Sequence, residues 1–281
     1  MNIYEETKFL MKKYNISANK DLGQNFLIDD NVIENIVEAA EINEKDFVIE
    51  IGPGLGTLTS RLVEKAGKVI AIELDKKMLQ ILNDRFALYN NFSLINEDVL
   101  KVELNNLIHH ENTQNYTVKI VANLPYYITT PIVMKLLEEK LNIESITVMI
   151  QKEVADRLTE TPGGKNSGAI TYCVYYYAEA QEVLTVPNTS FVPEPKVCSE
   201  VIKLNIRKEP PVALKDEKIF FKVVKASFMQ RRKTLLNGLT NAGIASKEKL
   251  KEILQELNLS ENVRGESLSI EKFAEIANKL C

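Results

Sequence analysis

The chain has 281 residues, of which 45% are hydrophobic and 26% charged, and its formal net charge at pH 7 is −4. This length is enough for roughly two domains of about 150 residues each, with cores that need no cross-links. Three well-separated cysteines and one pair of adjacent histidines exclude a recognisable metal site or disulfide framework, and because no apolar run approaches the about 18 residues of a membrane span, we expect a cytoplasmic protein.

Strands and helices are predicted to alternate from about residue 30 to residue 150, after an N-terminal approach segment at 1–29. Such alternation is typical of an α/β fold in which a parallel sheet is wound with helices. The predicted helices are 31–40, 57–65, 76–88 and 130–141, and the predicted strands are 47–51, 69–72, 92–95, 118–121 and 146–150.

A glycine-rich loop follows the first predicted strand of the sheet. The loop, Gly52-Pro53-Gly54-Leu55-Gly56, has the spacing G-x-G-x-G, whereas a dinucleotide-binding loop has G-x-G-x-x-G. Closely spaced glycines let the backbone approach a ligand, and Glu50, two residues ahead, disfavours a pyrophosphate but suits a cationic amino-acid group. The loop therefore favours S-adenosylmethionine over NAD as the cofactor.

Two acids at the ends of the next predicted strands extend this cofactor site. Glu73 lies 21 positions after Gly52, where a nucleotide-binding fold places the acid that binds ribose hydroxyls. Asp98 follows strand 92–95, and its carboxylate could accept a hydrogen bond from the cofactor's adenine amino group. Each acid alone is more typical of a solvated loop than of a binding site, but their ordered succession at strand ends favours cofactor binding.

The segment Asn123-Leu124-Pro125-Tyr126 directly follows the predicted strand 118–121. An adenine N6 lone pair is delocalised into the ring, so the nitrogen attacks a methyl sulfonium only when acceptors hold its hydrogens and draw it towards tetrahedral geometry. The Asn123 side-chain oxygen and the Leu124 carbonyl can be those acceptors, and Pro125 biases the residue before it towards extended backbone. Tyr126 can stack on a base lifted out of its stack. The segment indicates methyl transfer to a base amino group, although an ordinary strand-to-loop turn would also account for it in isolation.

Beyond residue 150 a predicted helix at 151–158 leads to the glycine-rich loop 161–168 and a tyrosine-rich stretch. The loop is either a plain connection or a lid over substrate that brings Lys165 near a phosphate. Strands 182–186 and 200–206 are predicted to complete the sheet. Between them, the rigid segment Phe191-Val192-Pro193-Glu194-Pro195 presents an aromatic residue at its start.

Pro210-Pro211 is predicted to interrupt regular secondary structure. The chain from Lys215 onward is predicted to be helical, with Ser246 and Ser269 as helix N-caps. Charge is distributed unevenly along the chain: residues 1–184 hold 18 Lys and Arg against 27 Asp and Glu, whereas residues 185–281 hold 17 against 12.

A basic cluster between Lys215 and Lys233 holds seven of these positive residues against two acids. A clustered patch of this kind is typical of phosphate contacts, although a solvated helix face is the alternative interpretation. The residues predicted to bind RNA are Lys222, Lys225, Arg231, Arg232 and Lys233.

Five segments together resemble the ribosomal RNA adenine dimethyltransferases, most closely the type that acts on the small ribosomal subunit, and the resemblance covers the chain from about Asp21 to Leu280. The segments occur in that family's order: Leu22-Gly23-Gln24-Asn25-Phe26-Leu27, Glu50 to Gly56, Asn123 to Tyr126, Phe191-Val192-Pro193-Glu194-Pro195-Lys196-Val197 and Phe228-Met229-Gln230-Arg231-Arg232-Lys233-Thr234-Leu235.

The resemblance implies a Rossmann-like methyltransferase domain, at residues 1–208, and a small all-helical C-terminal domain that contacts RNA, at 209–281. It implies dimethylation, from S-adenosylmethionine, of N6 of two adjacent adenosines in the 3′-terminal hairpin loop of 16S rRNA, within an immature small subunit whose biogenesis it would assist. The implied enzyme is a monomer that binds no metal ion and does not associate with a membrane.

The resemblance also implies roles for individual residues. Phe191 and Tyr126 would sandwich the extruded adenine. The implied catalytic residues are Asn123, Leu124, Pro125, Tyr126 and Phe191, and the implied cofactor contacts are Asn25, Leu27, Gly52, Glu73, Asp98 and Asn123.

The chain departs from the family pattern at two places. Lys20-Asp21 stands where the family usually has two basic residues, which weakens the case that this approach segment holds RNA. Ser167 stands before the last glycine of loop 161–168, where the family often has an aromatic residue.

Three other functions share features with this sequence. A large-subunit rRNA methyltransferase of the antibiotic-resistance type shares the fold and a similar tetrapeptide, but the C-terminal arginines and the Phe191 segment favour the small-subunit type. A largely non-catalytic ribosome assembly factor is the alternative from another class, against which Asn123 and Glu73 argue. A DNA adenine methylase usually has Pro in place of Leu124.

Overall fold

The computed structural model describes residues 2–19, 22–230 and 232–281 and separates the chain into two compact units. The sheet unit comprises the described residues up to Ala155 together with Ala180–Ile206, and the helical unit comprises Asp156–Glu179 and Arg207–Cys281. The helical unit therefore includes 156–179, a segment that the sequence analysis assigned to the sheet domain. Its tyrosines explain this, because Tyr172 and Tyr176 are buried in the core of the helical unit.

The sheet unit is built on seven strands in the order β4-β3-β2-β5-β6-β9-β7. The strands from β2 to β6 pair in parallel, and β9 runs antiparallel to β6. Strands described in the chain are β1 (Phe26–Leu27), β2 (Asp46–Ile51), β3 (Lys68–Glu73), β4 (Phe92–Asn96), β5 (Thr117–Asn123), β6 (Ser145–Gln151), β7 (Ala178–Val186), β8 (Phe191–Val192) and β9 (Ser199–Ile206).

The central strands are mostly apolar and largely buried, because helices cover both faces of a parallel sheet. Every residue of β2 is buried, as are the last five residues of β3. The chain order reverses between β2 and β5, and at such a switch point the loops leaving the carboxyl ends of the strands diverge and open a crevice for ligands.

Seven helices begin in the sheet unit, and each is amphipathic or short. Asp29 and Asp75 begin two of them as N-caps: Asp29 accepts hydrogen bonds from two backbone N–H groups of the first turn, and Asp75 accepts one. The helices are α1 (Ile3–Lys13), α2 (Asp30–Ala39), α3 (Thr57–Lys65), α4 (Lys76–Phe86), α5 (Leu104–Glu111), α6 (Thr129–Glu138) and α7 (Lys152–Leu158).

Two predicted helices end earlier than expected. Helix 76–88 ends at Phe86, and helix 130–141 ends at Glu138. Leu88 is 94% exposed, so a further turn of the first helix would bury nothing, and Lys140 has a positive φ of 49° that an α-helix cannot contain.

The helical unit packs its helices around one apolar core, in which Tyr172 meets Phe273 edge to face. Ser246 and Ser269 cap their helices as predicted. Loop 161–168 belongs to this unit, where the Gly163 N–H donates to the Tyr172 hydroxyl at 3.1 Å. The helices are α8 (Ala169–Tyr177), α9 (Glu217–Met229), α10 (Leu235–Asn241), α11 (Lys247–Glu256) and α12 (Ile270–Leu280).

Within the described residues, no helix combines the length and the apolar character needed to cross a membrane. The same residues contain no group of three or more His, Cys, Asp or Glu side chains placed to hold a metal ion.

Candidate active site

A deep cavity lies at the carboxyl ends of the parallel strands in the sheet unit. Its empty space, including the part open to solvent, is about 1110 Å³. All ten residues predicted to act in catalysis or cofactor binding line it: Asn25, Leu27, Gly52, Glu73, Asp98, Asn123, Leu124, Pro125, Tyr126 and Phe191.

The glycine loop between β2 and α3 forms one wall of this cavity. Gly52, Gly54 and Gly56 all have positive φ, at 68°, 56° and 80°, a conformation that costs other residues free energy. A Cβ added to Gly52 would meet no atom within 4 Å, so the backbone there borders open space. The predicted close approach of backbone to a ligand requires open space of this kind.

Glu73, at the end of β3, is tied to the same loop. Its two carboxylate oxygens accept hydrogen bonds from the Gly54 N–H at 3.0 Å and from the Asp75 N–H at 2.7 Å. Burial raises the pKa of Glu73, and the backbone hydrogen bonds oppose that shift. Glu73, which is predicted to bind the ribose hydroxyls, therefore also fixes the shape of the glycine loop.

Glu50 lines the cavity from β2 but is only 1% exposed. The Thr59 hydroxyl donates to its carboxyl group at 2.6 Å. Burial raises the pKa of Glu50 to about 8, with a further contribution from the neighbouring charge of Glu73. The expected negative charge beside the loop is thus suppressed near neutral pH, and a cation bound beside Glu50 would favour its ionised form.

Asp98 and Asn25 are held by local hydrogen bonds at the cavity. One carboxylate oxygen of Asp98 accepts a hydrogen bond from the Leu100 N–H at 3.0 Å. The other oxygen takes no part in this hydrogen bond. The Asn25 side-chain amide donates to the Gly23 carbonyl at 3.1 Å. Both residues are therefore oriented by their own loops.

A two-stranded ribbon brings the segment around Asn25 together with Phe191. Strand β1 pairs antiparallel with β8, so that Leu27 lies opposite Phe191. The Ser190 hydroxyl donates to the Asp29 carboxylate at 2.8 Å and braces the pairing. Phe191 lines the cavity but is only 1% exposed, so little of its ring is accessible to a base. No pattern in the sequence predicts this ribbon.

Asn123 is the last residue of β5, and Leu124 immediately leaves the sheet. The Leu124 N–H donates to the Met149 carbonyl on β6 at 3.1 Å, which fixes the direction in which the chain departs. In the described part of the chain, no hydrogen bond occupies the Asn123 side chain or the Leu124 carbonyl. Both residues line the cavity, and their action as acceptors stays a prediction.

Tyr126 is held from its far end by a residue that the sequence analysis did not single out. The Tyr126 hydroxyl lies 2.7 Å from the Ser199 hydroxyl, and Ser199 is fully buried at the start of β9. Burial raises the pKa of Tyr126. No local pattern marks Ser199, because its proximity depends on the antiparallel pairing of β9 with β6.

The predicted RNA-binding residues lie in the helical unit. Lys222 and Lys225 are exposed on α9, Arg232 and Lys233 are exposed just beyond it, and Arg231 lies outside the described residues. Among the described residues, these four cations form no ion pair. Met229, at the end of α9, is 71% exposed beside them.

Comparison with known proteins identifies the family. Residues 15–280 match the sequence profile of a family described as ribosomal RNA adenine dimethylase. The ribosomal RNA small subunit methyltransferase A of Geobacillus sp. (strain WCH70) is 48% identical over 98% of this chain and 95% of its own length. The protein of the same name from Bacillus cytotoxicus is 50% identical, again over 98% and 95%. The chain belongs to the ribosomal RNA adenine dimethylase family.

Solved structures agree with membership of the dimethylase family. A dimethyladenosine transferase from Plasmodium falciparum superposes with a TM-score of 0.75 at 26% identity, covering 89% of this chain and 95% of its own. The 23S rRNA methyltransferase ErmE superposes with a TM-score of 0.68 at 25% identity, covering 91% and 99%. The predicted family, the Rossmann-like methyltransferase fold and the assignment as an enzyme are confirmed.

Proposed function

We propose that this dimethylase transfers methyl groups from S-adenosylmethionine to N6 of two adjacent adenosines in the 3′-terminal hairpin loop of 16S rRNA. The observation that carries the proposal is the pair of acceptors, the Asn123 side chain and the Leu124 carbonyl, at the end of β5 and next to the glycine loop that leaves the neighbouring strand β2. Relatives at 48% to 50% identity over nearly the whole chain are named for the small subunit, which favours this substrate over large-subunit rRNA.

The cavity's own residues fit the proposed cofactor. Glu73 and Asp98 would hold the ribose and adenine of S-adenosylmethionine, and the open backbone at Gly52 would lie against its amino-acid portion, near Glu50. When bound, this cofactor supplies an electrophilic methyl group on a sulfonium. Asn25, Leu27 and Asn123 line the same cavity and are proposed to complete the contacts.

The acceptor pair would act on the amino group of the target base. Asn123 and Leu124 each accept a hydrogen bond from N6, which draws the nitrogen towards tetrahedral geometry and frees its lone pair. Tyr126, braced by Ser199, and Phe191 stack on the two faces of the extruded adenine. Each transfer forms one N6–methyl bond and releases one N6 hydrogen as a proton, so two rounds on each adenosine give the dimethylated bases, and in the second round the one remaining hydrogen engages a single acceptor.

We further propose that the methylated substrate is an immature small ribosomal subunit in the cytoplasm. The enzyme binds it as a monomer and assists its biogenesis. The exposed cations Lys222, Lys225, Arg232 and Lys233, together with Arg231, would hold rRNA phosphates. A hairpin loop is already partly unstacked, so extruding a base from it costs less than opening a duplex.

Labelled S-adenosylmethionine supplied with undermethylated small subunits, large subunits or duplex DNA tests the proposal. We expect label at N6 of two adjacent adenosines of small subunits, and preferential labelling of large subunits or DNA would contradict it.

Asn123→Ala should lower turnover by about a hundredfold or more, because a preorganised polar contact is lost. Asn105→Ala, an exposed asparagine on α5 outside the cavity, is the control and should keep the wild-type rate.

A further inference from the structure

Tyr127 is an aromatic residue at the cavity that has no part in the reaction described above. It lines the cavity beside Tyr126, yet it is 56% exposed. In the described part of the chain, its hydroxyl makes no hydrogen bond. Single exposed aromatic residues are common on protein surfaces, so exposure alone would mean little, but this ring is also held in place at the cavity edge.

Gly23 provides the place against which the Tyr127 ring packs. Gly23 has a φ of 58°, and a Cβ added to it would lie 3.2 Å from Cδ1 and 3.6 Å from Cε1 of Tyr127. A side chain at position 23 would therefore press on the ring, and its absence lets the ring lie close to the backbone. The rest of the ring remains open to solvent at a fixed position on the cavity edge.

The two adjacent tyrosines have different environments. Tyr126 and Tyr127 open the 3₁₀-helix Tyr126–Ile128, in which successive side chains diverge by about 120° because there are three residues per turn. Tyr126 is half-buried and its hydroxyl is engaged by Ser199. Only Tyr127 can therefore offer an aromatic surface to a group that stays outside the base pocket.

We propose that Tyr127 is a stacking site for the base of the nucleotide adjacent to the adenosine being methylated. The proposal rests on the proposed function, in which the two target adenosines are neighbours. Extruding one base removes a stacking partner from the next one, and an aromatic side chain can replace that partner whatever the base. The second adenosine would thus wait on Tyr127 while the first occupies the pocket.

Steady-state kinetics on undermethylated small subunits test this site with Tyr127→Phe, Tyr127→Leu and Tyr127→Ala. Base stacking on an aromatic residue is sequence-tolerant, and its loss should raise KM roughly tenfold for the Leu and Ala variants while kcat changes little. Tyr127→Phe should keep the wild-type KM. Phe9→Ala removes an equally exposed aromatic (54%) from α1, outside the cavity, and should change neither constant.

Small subunits reconstituted with an abasic nucleotide beside the target adenosine give the decisive comparison. The wild-type KM should rise on this substrate by the same factor, and Tyr127→Ala should cause no further loss, because both changes remove one contact. A Tyr127→Ala KM within twofold of the wild type, or an undiminished defect on the abasic substrate, would overturn the proposal. Wild-type protein that never methylates adenosine N6 would instead refute the proposed function, and calorimetry with S-adenosylmethionine shows that each variant is folded.

Discussion

Among single residues, Glu50 couples the stability of the sheet unit to pH. Its carboxyl group is buried, and burial raises its pKa to about 8 from an ordinary value of 4.5. In the unfolded chain the group ionises near its ordinary pKa, whereas in the folded protein it keeps its proton up to about pH 8. The folded state thus binds more protons over this interval, and the free energy of unfolding falls as pH rises through it.

Glu50→Gln should remove this pH dependence, because the amide keeps the shape and a hydrogen-bonding group but cannot ionise. We expect the free energy of unfolding of the wild type, relative to the variant, to fall by a few kcal/mol between about pH 5 and pH 8. Urea denaturation without ligand at several pH values measures it. Glu97→Gln removes a more exposed carboxylate from the same cavity and controls for the loss of one charge. Parallel stability curves for wild type and Glu50→Gln would show that the buried carboxyl does not titrate as described.

At the scale of elements, the turn from β2 into α3 depends on glycines for two separable reasons. Gly52 and Gly56 share a positive φ, but their surroundings differ. A Cβ on Gly52 meets open space, whereas a Cβ on Gly56 would lie 2.7 Å from the Phe86 ring and 3.0 Å from Leu82, both on α4. Gly52 is therefore required for backbone conformation alone, and Gly56 for conformation and for helix packing.

Gly56→Ala should destabilise the protein more than Gly52→Ala. Both variants incur about 1 to 2 kcal/mol for a non-glycine residue in the left-handed region, and Gly56→Ala adds about 1 to 3 kcal/mol for overpacking against Phe86. Chemical denaturation in the absence of cofactor measures the difference. Equal losses for the two variants would mean that α4 yields without cost to the added methyl group.

Elements whose apolar residues form continuous runs were predictable from the sequence. Each of the five strands predicted before residue 151 lies inside an observed strand, and helix 57–65 matches α3, because buried parallel strands and their turn residues leave a local signal. The ribbon of β1 and β8 left none, since two-residue strands have no periodicity and these pair residues far apart in sequence. Ser199 left no local signal either, because its position depends on pairing between strands far apart in sequence. The residues that sequence motifs singled out for catalysis or cofactor binding all line the cavity.

Across the whole molecule, charge is distributed unevenly along the chain. Residues 1–184 hold nine more acids than bases, and residues 185–281 hold five more bases than acids. A net negative half repels a polyanion, so affinity for rRNA must come from local positive patches rather than from the total charge. The exposed cations Lys222, Lys225 and Arg232 are suited to this because no ion pair within the described residues neutralises them.

The triple variant Lys222→Ala, Lys225→Ala, Arg232→Ala should therefore weaken binding to small subunits and flatten its salt dependence. Each lost phosphate contact should lower the slope of log K against log salt concentration by roughly one unit, because fewer counterions are released. The matched control replaces Lys251, Lys272 and Lys279 with Ala, which removes the same charge from the same unit. These three lysines already form ion pairs, with Glu261, Glu275 and Glu256 respectively. Binding measured between about 50 and 200 mM salt should show a slope lower by two to three units in the first variant and nearly unchanged in the control. Equal slopes in both variants would mean that net charge governs binding and that the cluster on and beyond α9 is an ordinary solvated surface.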